Sequence, residues 1–201
     1  MSALKVQKPA KGVRRVLGLD PALRKSGWGI IDVVGDRQIH VAHGLIAPSV
    51  KGTDGERLAT IYDTLEELIL AYSPAEFAVE DAYVNKNPST SLKLGLARGV
   101  ALLAPARHGI PTTVYAPRMV KRVLVGNGNA EKDEVAAIVE ETLGVEPEGF
   151  DEADALAVAI CHVLNDGDAE DPAKKTPPRE SRGKGPETER GSGSSVVYTL
   201  L

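Results

Sequence analysis

RRVLGLD, residues 14–20, is an apolar run that ends in an acid and is stopped by Pro21. It reads as a buried strand closed by a turn. SGWGIIDVV (26–34) and QIHVAHGLIAP (38–48) then alternate apolar and polar residues and carry β-branched side chains. They predict two more strands, joined by a GDR turn at Gly35 to Arg37, and so an antiparallel meander. Working outward, GERLATIYDTLEELILAY (55–72) places Leu58, Ile61, Leu65, Leu68 and Ile69 at helical spacing, and AEFAVED (75–81) is a short strand ending in Glu80. STSLKLGLARGVALLAPARH (89–108) predicts a second helix opened by Ser89 or Thr90. Its Gly95, Ala97, Gly99 and Ala101 would let another backbone approach closely, as a subunit seam or as packing on the sheet. PTTVYAP (111–117) is a fifth strand, followed by helices over 118–124, 130–143 and 149–164. A meander first and alternating strands and helices afterwards predict an α/β fold, a mixed five-stranded sheet flanked by helices.

The chain of 201 residues is 42% hydrophobic, enough for one core. We expect a short basic arm over 1–13, a single domain over 14–165 and a disordered tail over 166–201. Pro, Gly, Ser and mixed charge dominate that tail, which cannot repay the entropy of ordering. Neither a signal peptide nor a membrane span is expected. The lone Cys161 excludes a disulfide framework and suggests a reducing, cytoplasmic setting, with the thiol acting as a small buried hydrophobe. The net charge of −4 argues at first against a nucleic-acid partner, but the average misleads. From Ala82 to Ala130 there is no Asp or Glu, while Lys86, Lys93, Arg98, Arg107, Arg118, Lys121 and Arg122 all fall inside. A basic face on an acidic protein, able to bind a polyanion, is the expectation.

GFDEADALAVAICHVL (149–164) opens with Asp151 and Asp154, three residues apart and so on one helix face. Asp151 could simply cap the helix and complement its dipole. Asp154 resists that reading, because from Ala155 to Cys161 the helix is apolar all round and must be buried on several sides. Sites in open α/β sheets form outside the carboxyl ends of strands. Asp20 and Glu80 end two of the strands, so four carboxylates converge if those strands are neighbours and the last helix packs beside them. No Lys or Arg next to these motifs neutralises the cluster, and an all-oxygen ligand set selects Mg²⁺ or Mn²⁺ over zinc. Two such ions about 3.5 to 4 Å apart serve hydrolysis of a phosphodiester. A carboxylate cluster beside an acid-free basic segment therefore points to a nuclease. Asp81 reads as a solvated loop acid and His162 as a surface or helix-end residue.

VLGLDP, FAVEDAYVNKNPSTSLKLGLARGV, GNGNAEKDEVA and DEADALAVAICH, in this order and spacing over about residues 15–164, resemble the RuvC family of bacterial Holliday-junction resolvases. The resemblance implies a ribonuclease-H-like, retroviral-integrase-like fold, a homodimer, and paired metal-dependent incisions across a four-way DNA junction. It also implies the RuvA and RuvB branch-migration proteins as partners. The family's acidic tetrad falls on Asp20, Glu80, Asp151 and Asp154, its junction-contacting aromatic on Tyr83, and its important lysines on Lys121 and Lys132. Expected DNA contacts are Tyr83, Lys86, Lys93, Arg98, Arg118 and Lys121. Two positions depart from the pattern: Ala22 stands in place of the usual glycine after DP, and Tyr83 where many relatives have Phe. The tail, with its VVYTLL end, lies outside the resemblance.

Rival functions come from other classes. GLDPALRKSGWG also resembles the phosphate loop of actin-like ATPases and sugar kinases, but that fold normally needs two such domains and this chain is too short. A resolvase-like nuclease acting on RNA, or a nucleic-acid-binding module without cleavage, stays open. Four retained carboxylates weigh against an inert binder, since a charged cluster without chemistry costs stability.

Overall fold

Strand β1 (Arg14–Asp20) lies mid-sheet, because it is apolar on both faces and needs cover on both. The structure, a computed structural model, describes residues 6–81 and 87–165. β1 pairs antiparallel with β2 (Ser26–Val34), which pairs antiparallel with β3 (Arg37–Ile46), as the meander predicts. Arg37 already belongs to β3, so the turn is shorter than GDR. Helix α1 (Asp54–Tyr72), opened by a capping box from Thr53 to Glu56, returns the chain to β4 (Glu76–Glu80). β4 pairs parallel with β1, Leu19 opposite Val79, so Asp20 and Glu80 leave the sheet at one edge. Helix α2 (Pro88–Arg107) leads to β5 (Thr112–Tyr115), parallel to β4, and the sheet order is β3-β2-β1-β4-β5. Helices α3 (Pro117–Val125), α4 (Lys132–Leu143) and α5 (Phe150–Leu164) complete the described chain.

Strand parity sorts the core into two layers. Leu17, Leu19, Phe77 and Val79 face α1 and α2, with Ile61, Leu65, Ala97 and Ala101 against them. Val16, Ile31 and Ala78 face the other way, towards α3, α4 and α5. Since side chains alternate along a strand, Asp20 shares the face of Val16 and Gly18, and Glu80 that of Ala78. Both carboxylates therefore stand on the α5 side. Their approach to α5 depends on missing side chains: a Cβ at Gly18 would lie 2.2 Å from the Ala155 carbonyl oxygen, and one at Gly27 only 1.7 Å from that of Asp151.

Three local expectations change. Helix α2 is capped by Asn87, whose Oδ1 accepts from the N–H groups of Ser89 and Thr90, with Pro88 in the first turn where its missing N–H costs nothing. The small residues of α2 divide between two faces: Ala97 and Ala101 are buried on the sheet, whereas Gly95 and Gly99 meet nothing within 4 Å. His162 is not a surface residue. It is 5% exposed, sharing hydrogen bonds with the Tyr115 hydroxyl (2.8 Å) and the Glu76 carboxylate (2.7 Å), because β4 and β5 still cover α5 at its last turn. Cys161 is buried as expected, its thiol pushed up to about 12 by burial. Of the basic arm, residues 6–13 are described, and the Gln7 N–H donates to the Ala71 carbonyl across the end of α1. Residues 1–5 and the whole tail over 166–201 lie outside the described residues.

Candidate active site

The four carboxylates meet where the carboxyl ends of β1 and β4 face the first turn of α5. Burial, followed by the charges of Asp154 and Asp151, pushes Asp20 up to about 6. Burial, followed by the charges of Asp20 and Asp154, pushes Glu80 up to about 9, and the two side chains share a hydrogen bond. Asp151 caps nothing: Gly149 occupies the cap position of α5 and supplies no side-chain bond. The Asp151 carboxylate instead pairs with Lys25 at 3.1 Å, while Lys132 Nζ donates to Asp154 Oδ2 at 2.6 Å. Lys132 also lies 5.7 Å from the Phe150 ring centre, which steadies its stem.

The positive charge thus arrives from the start of α4 and from the turn that follows Asp20. Lys132 spans 22 residues of sequence to reach Asp154. Lys25 was not anticipated. Its signal lay in the connection itself: Asp20 opposite Gly27 leaves only the intervening residues to cross the sheet edge, so a lysine there must stand near the cluster. Ala22 leaves this turn intact, since its N–H donates to Ser26 Oγ at 2.9 Å and its carbonyl accepts from the same hydroxyl at 2.7 Å.

Oxygen donors only, crowded until Glu80 holds its proton at neutral pH, suit a hard divalent cation. Among the described residues no three such side chains already surround one cation position. The lysine pairs on Asp151 and Asp154 engage two of the four donors.

Of the expected DNA-binding residues, Tyr83 and Lys86 lie outside the described residues. Arg118 is exposed on α3. Lys121 is half-buried and donates to the Ala130 carbonyl at 2.6 Å, tying down the turn that leads to Lys132. Lys93 lies 3.8 Å from Asp54, and Arg98 Nε 2.8 Å from Asp81 Oδ1. Asp81 is therefore ion-paired, though still half-exposed. The segment free of acids in sequence is not free of them in space, because α1 and the end of β4 lend theirs.

The sequence pattern described as "Crossover junction endodeoxyribonuclease RuvC" matches residues 16–162, a stretch that includes every carboxylate of this site. The chain belongs to the RuvC family. The RuvC of Granulibacter bethesdensis is 48% identical over 161 residues, 80% of this chain and 90% of that one. The RuvC of Acidiphilium cryptum is 52% identical over 150 residues, 74% of this chain and 90% of that one. Among solved structures, T. thermophilus RuvC in complex with a Holliday junction substrate is similar with a TM-score of 0.72 and 30% identity, covering 77% of this chain and 95% of that one. The yeast mitochondrial Holliday junction resolvase, at 15% identity and a TM-score of 0.56, shares the fold. This RuvC-family chain is thus a nuclease with the ribonuclease-H-like sheet its motifs implied. No helix among its described residues is long and apolar enough to cross a membrane.

Proposed function

We propose that this protein resolves four-way DNA junctions in the cytoplasm by paired, metal-assisted phosphodiester hydrolysis on two strands of like polarity. The observation that supports this most directly is the convergence of Asp20, Glu80, Asp151 and Asp154 at one sheet edge, where burial and the charges of Asp154 and Asp151 raise Asp20, and burial and the charges of Asp20 and Asp154 raise Glu80. These four side chains hold the divalent ions, Mg²⁺ or Mn²⁺ and two per site, which when bound activate water and stabilise the leaving oxygen. Glu80, raised to about 9 by burial and its acidic neighbours, would have to give up its proton to serve as a ligand. Lys132 fixes Asp154 with one N–H and keeps two more donors for a phosphate oxygen. Lys93, Arg98, Arg118 and Lys121 contact the DNA backbone, joined by Tyr83 and Lys86, which follow β4 in sequence. A four-way junction, a linear duplex and an RNA hairpin, each incubated with and without Mg²⁺ or Mn²⁺, test this reading. Only the junction should be cut, at two symmetric positions, and only with metal. Equal cutting of duplex or hairpin would defeat it.

Two like nicks related by a two-fold axis call for a two-fold dimer, and α2 has a face for it. Leu92, Leu96 and Leu103 are 67%, 39% and 51% exposed on the side away from the sheet, with Gly99 between them. A Cβ at Gly99 would meet no atom of the described residues within 4 Å, so with Gly99→Leu the fold should survive and a close helix–helix contact should not. The expected product is a monomer by sedimentation, which binds junctions weakly and seldom makes the second cut. A parent protein that is monomeric at micromolar concentration, on and off junction DNA, would remove the dimer from the mechanism. RuvA and RuvB are the branch-migration partners expected to deliver the junction.

A further inference from the structure

The turn after β1, the start of α1 and the opening turns of α2 enclose a hollow of about 530 Å³, lined among others by Leu23, Arg24, Arg57, Ser89, Thr90 and Lys93. We infer that Arg24, Arg57, Lys93 and the hydroxyls of Ser89 and Thr90 form a second phosphate site, which seats a DNA backbone phosphodiester apart from the scissile one. The inference rests on the nuclease reading above.

The charges are built for an anion. Three cations line the hollow and no Asp or Glu does. Arg24 is exposed, and its side chain pairs with no described residue. Arg57 donates through one terminal nitrogen to the Val50 carbonyl at 2.5 Å, while its Nε is buried without a hydrogen-bond partner. A buried donor left unpaired costs free energy that a ligand oxygen would recover. Asp54 of α1 sits 3.8 Å from Lys93 in a half-exposed pair of little worth, which a phosphate can displace. The opening turn of α2 adds to this. It carries no acid, whereas α1, α4 and α5 each carry two, so its positive end lacks an internal counter-charge. Asn87 already occupies the Ser89 and Thr90 amides, leaving their exposed hydroxyls for a ligand. Arg24 follows Asp20 by four residues, so the same edge of the sheet serves both sites. A strand crossing the carboxylates would pass the hollow.

Junction affinity measured by fluorescence anisotropy across a series of salt concentrations tests the site. Arg24→Gln and Arg57→Gln should each flatten the slope of log K against log salt by about one unit, and Arg57→Lys should restore most of it. Arg37→Gln removes an equal charge from the opposite edge of the sheet and should leave the slope unchanged. Ser89→Glu covers the case in which Arg57→Gln fails to fold: an acid in the first turn of a helix favours the helix, so the variant should melt no lower than the parent yet bind junctions more weakly. Unchanged slopes for Arg24→Gln and Arg57→Gln, a slope loss in Arg37→Gln as large as theirs, or parental affinity in Ser89→Glu would each overturn the site while the parent still cuts junctions. A parent that binds no junction at all would instead sink the proposed function.

Discussion

Glu80→Gln is expected to melt at a higher temperature than the parent in chelator near pH 8, and to lose cleavage by about 10³-fold, equivalent to about 4 kcal/mol of transition-state stabilisation. The gain in melting temperature comes from the burial of Glu80. Burial and the Asp20 and Asp154 charges raise Glu80 from 4.5 to about 9 in the folded protein, so the native state binds this proton more tightly than the unfolded chain does. Between those two values stability falls as pH rises, because the unfolded chain can release the proton and the folded site resists doing so. Asp20 adds the same trend over the narrower window from 3.8 to about 6. Gln is neutral throughout, so the advantage of the variant should vanish below about pH 4.5, grow through neutrality and level off above pH 9. Melting curves against pH, with junction binding as a control, check it. Cleavage falls because an amide is a weaker ligand than a carboxylate for a hard cation. Junction affinity should stay near parental, since in the proposed reading the carboxylates hold metal and not the DNA backbone. A variant that cuts like the parent would remove Glu80 from the catalytic set, and one that melts below the parent at pH 8 would deny that the cluster is strained.

Much of this site is legible in the chain because its information is local. RRVLGLD ends in Asp20 where the strand ends, and AEFAVED places Glu80 in the same way; period-two alternation then sends both to the α5 face. The all-apolar run after Asp154 shows that α5 is buried before any contact is seen. Less legible are features set by pairings across the fold. Lys93 and Arg98 look free because their partners, Asp54 and Asp81, come from outside the acid-free segment. His162, in the last turn of α5, looks exposed because Tyr115 and Glu76, its two partners, stand 47 and 86 residues away. The cap of α2 falls on Asn87, two residues ahead of the serine that pattern alone favours, since the side chain that reaches the free amides is chosen by backbone geometry.

Gly27 belongs with those hidden features, and Gly27→Ala should be about as damaging as the loss of a ligand. An alanine methyl there would lie 1.7 Å from the Asp151 carbonyl oxygen and 2.3 Å from its carbon. These are backbone atoms of the α5 opening turn and cannot rotate away. The turn must move outward by an ångström or more, taking Asp151 away from Asp20 and loosening Asp154 from Lys132. A displacement of that size at a reacting centre costs about 10²-fold in rate, and the overpacking itself costs about 1–3 kcal/mol of stability. Gly29→Ala supplies the contrast. Its methyl would first meet the Leu156 side chain, at 2.5 and 2.7 Å, more than a turn further along α5. A leucine can change rotamer, so this variant should lose stability and keep most of its cleavage. Single-turnover cleavage rates and melting temperatures for the two variants, measured with saturating metal, separate the effects. If Gly27→Ala and Gly29→Ala lose activity only in proportion to lost stability, the close seat of α5 on β2 serves the core alone. If Gly27→Ala loses far more, the glycine sets the distance between the carboxylates of the helix and those of the strands.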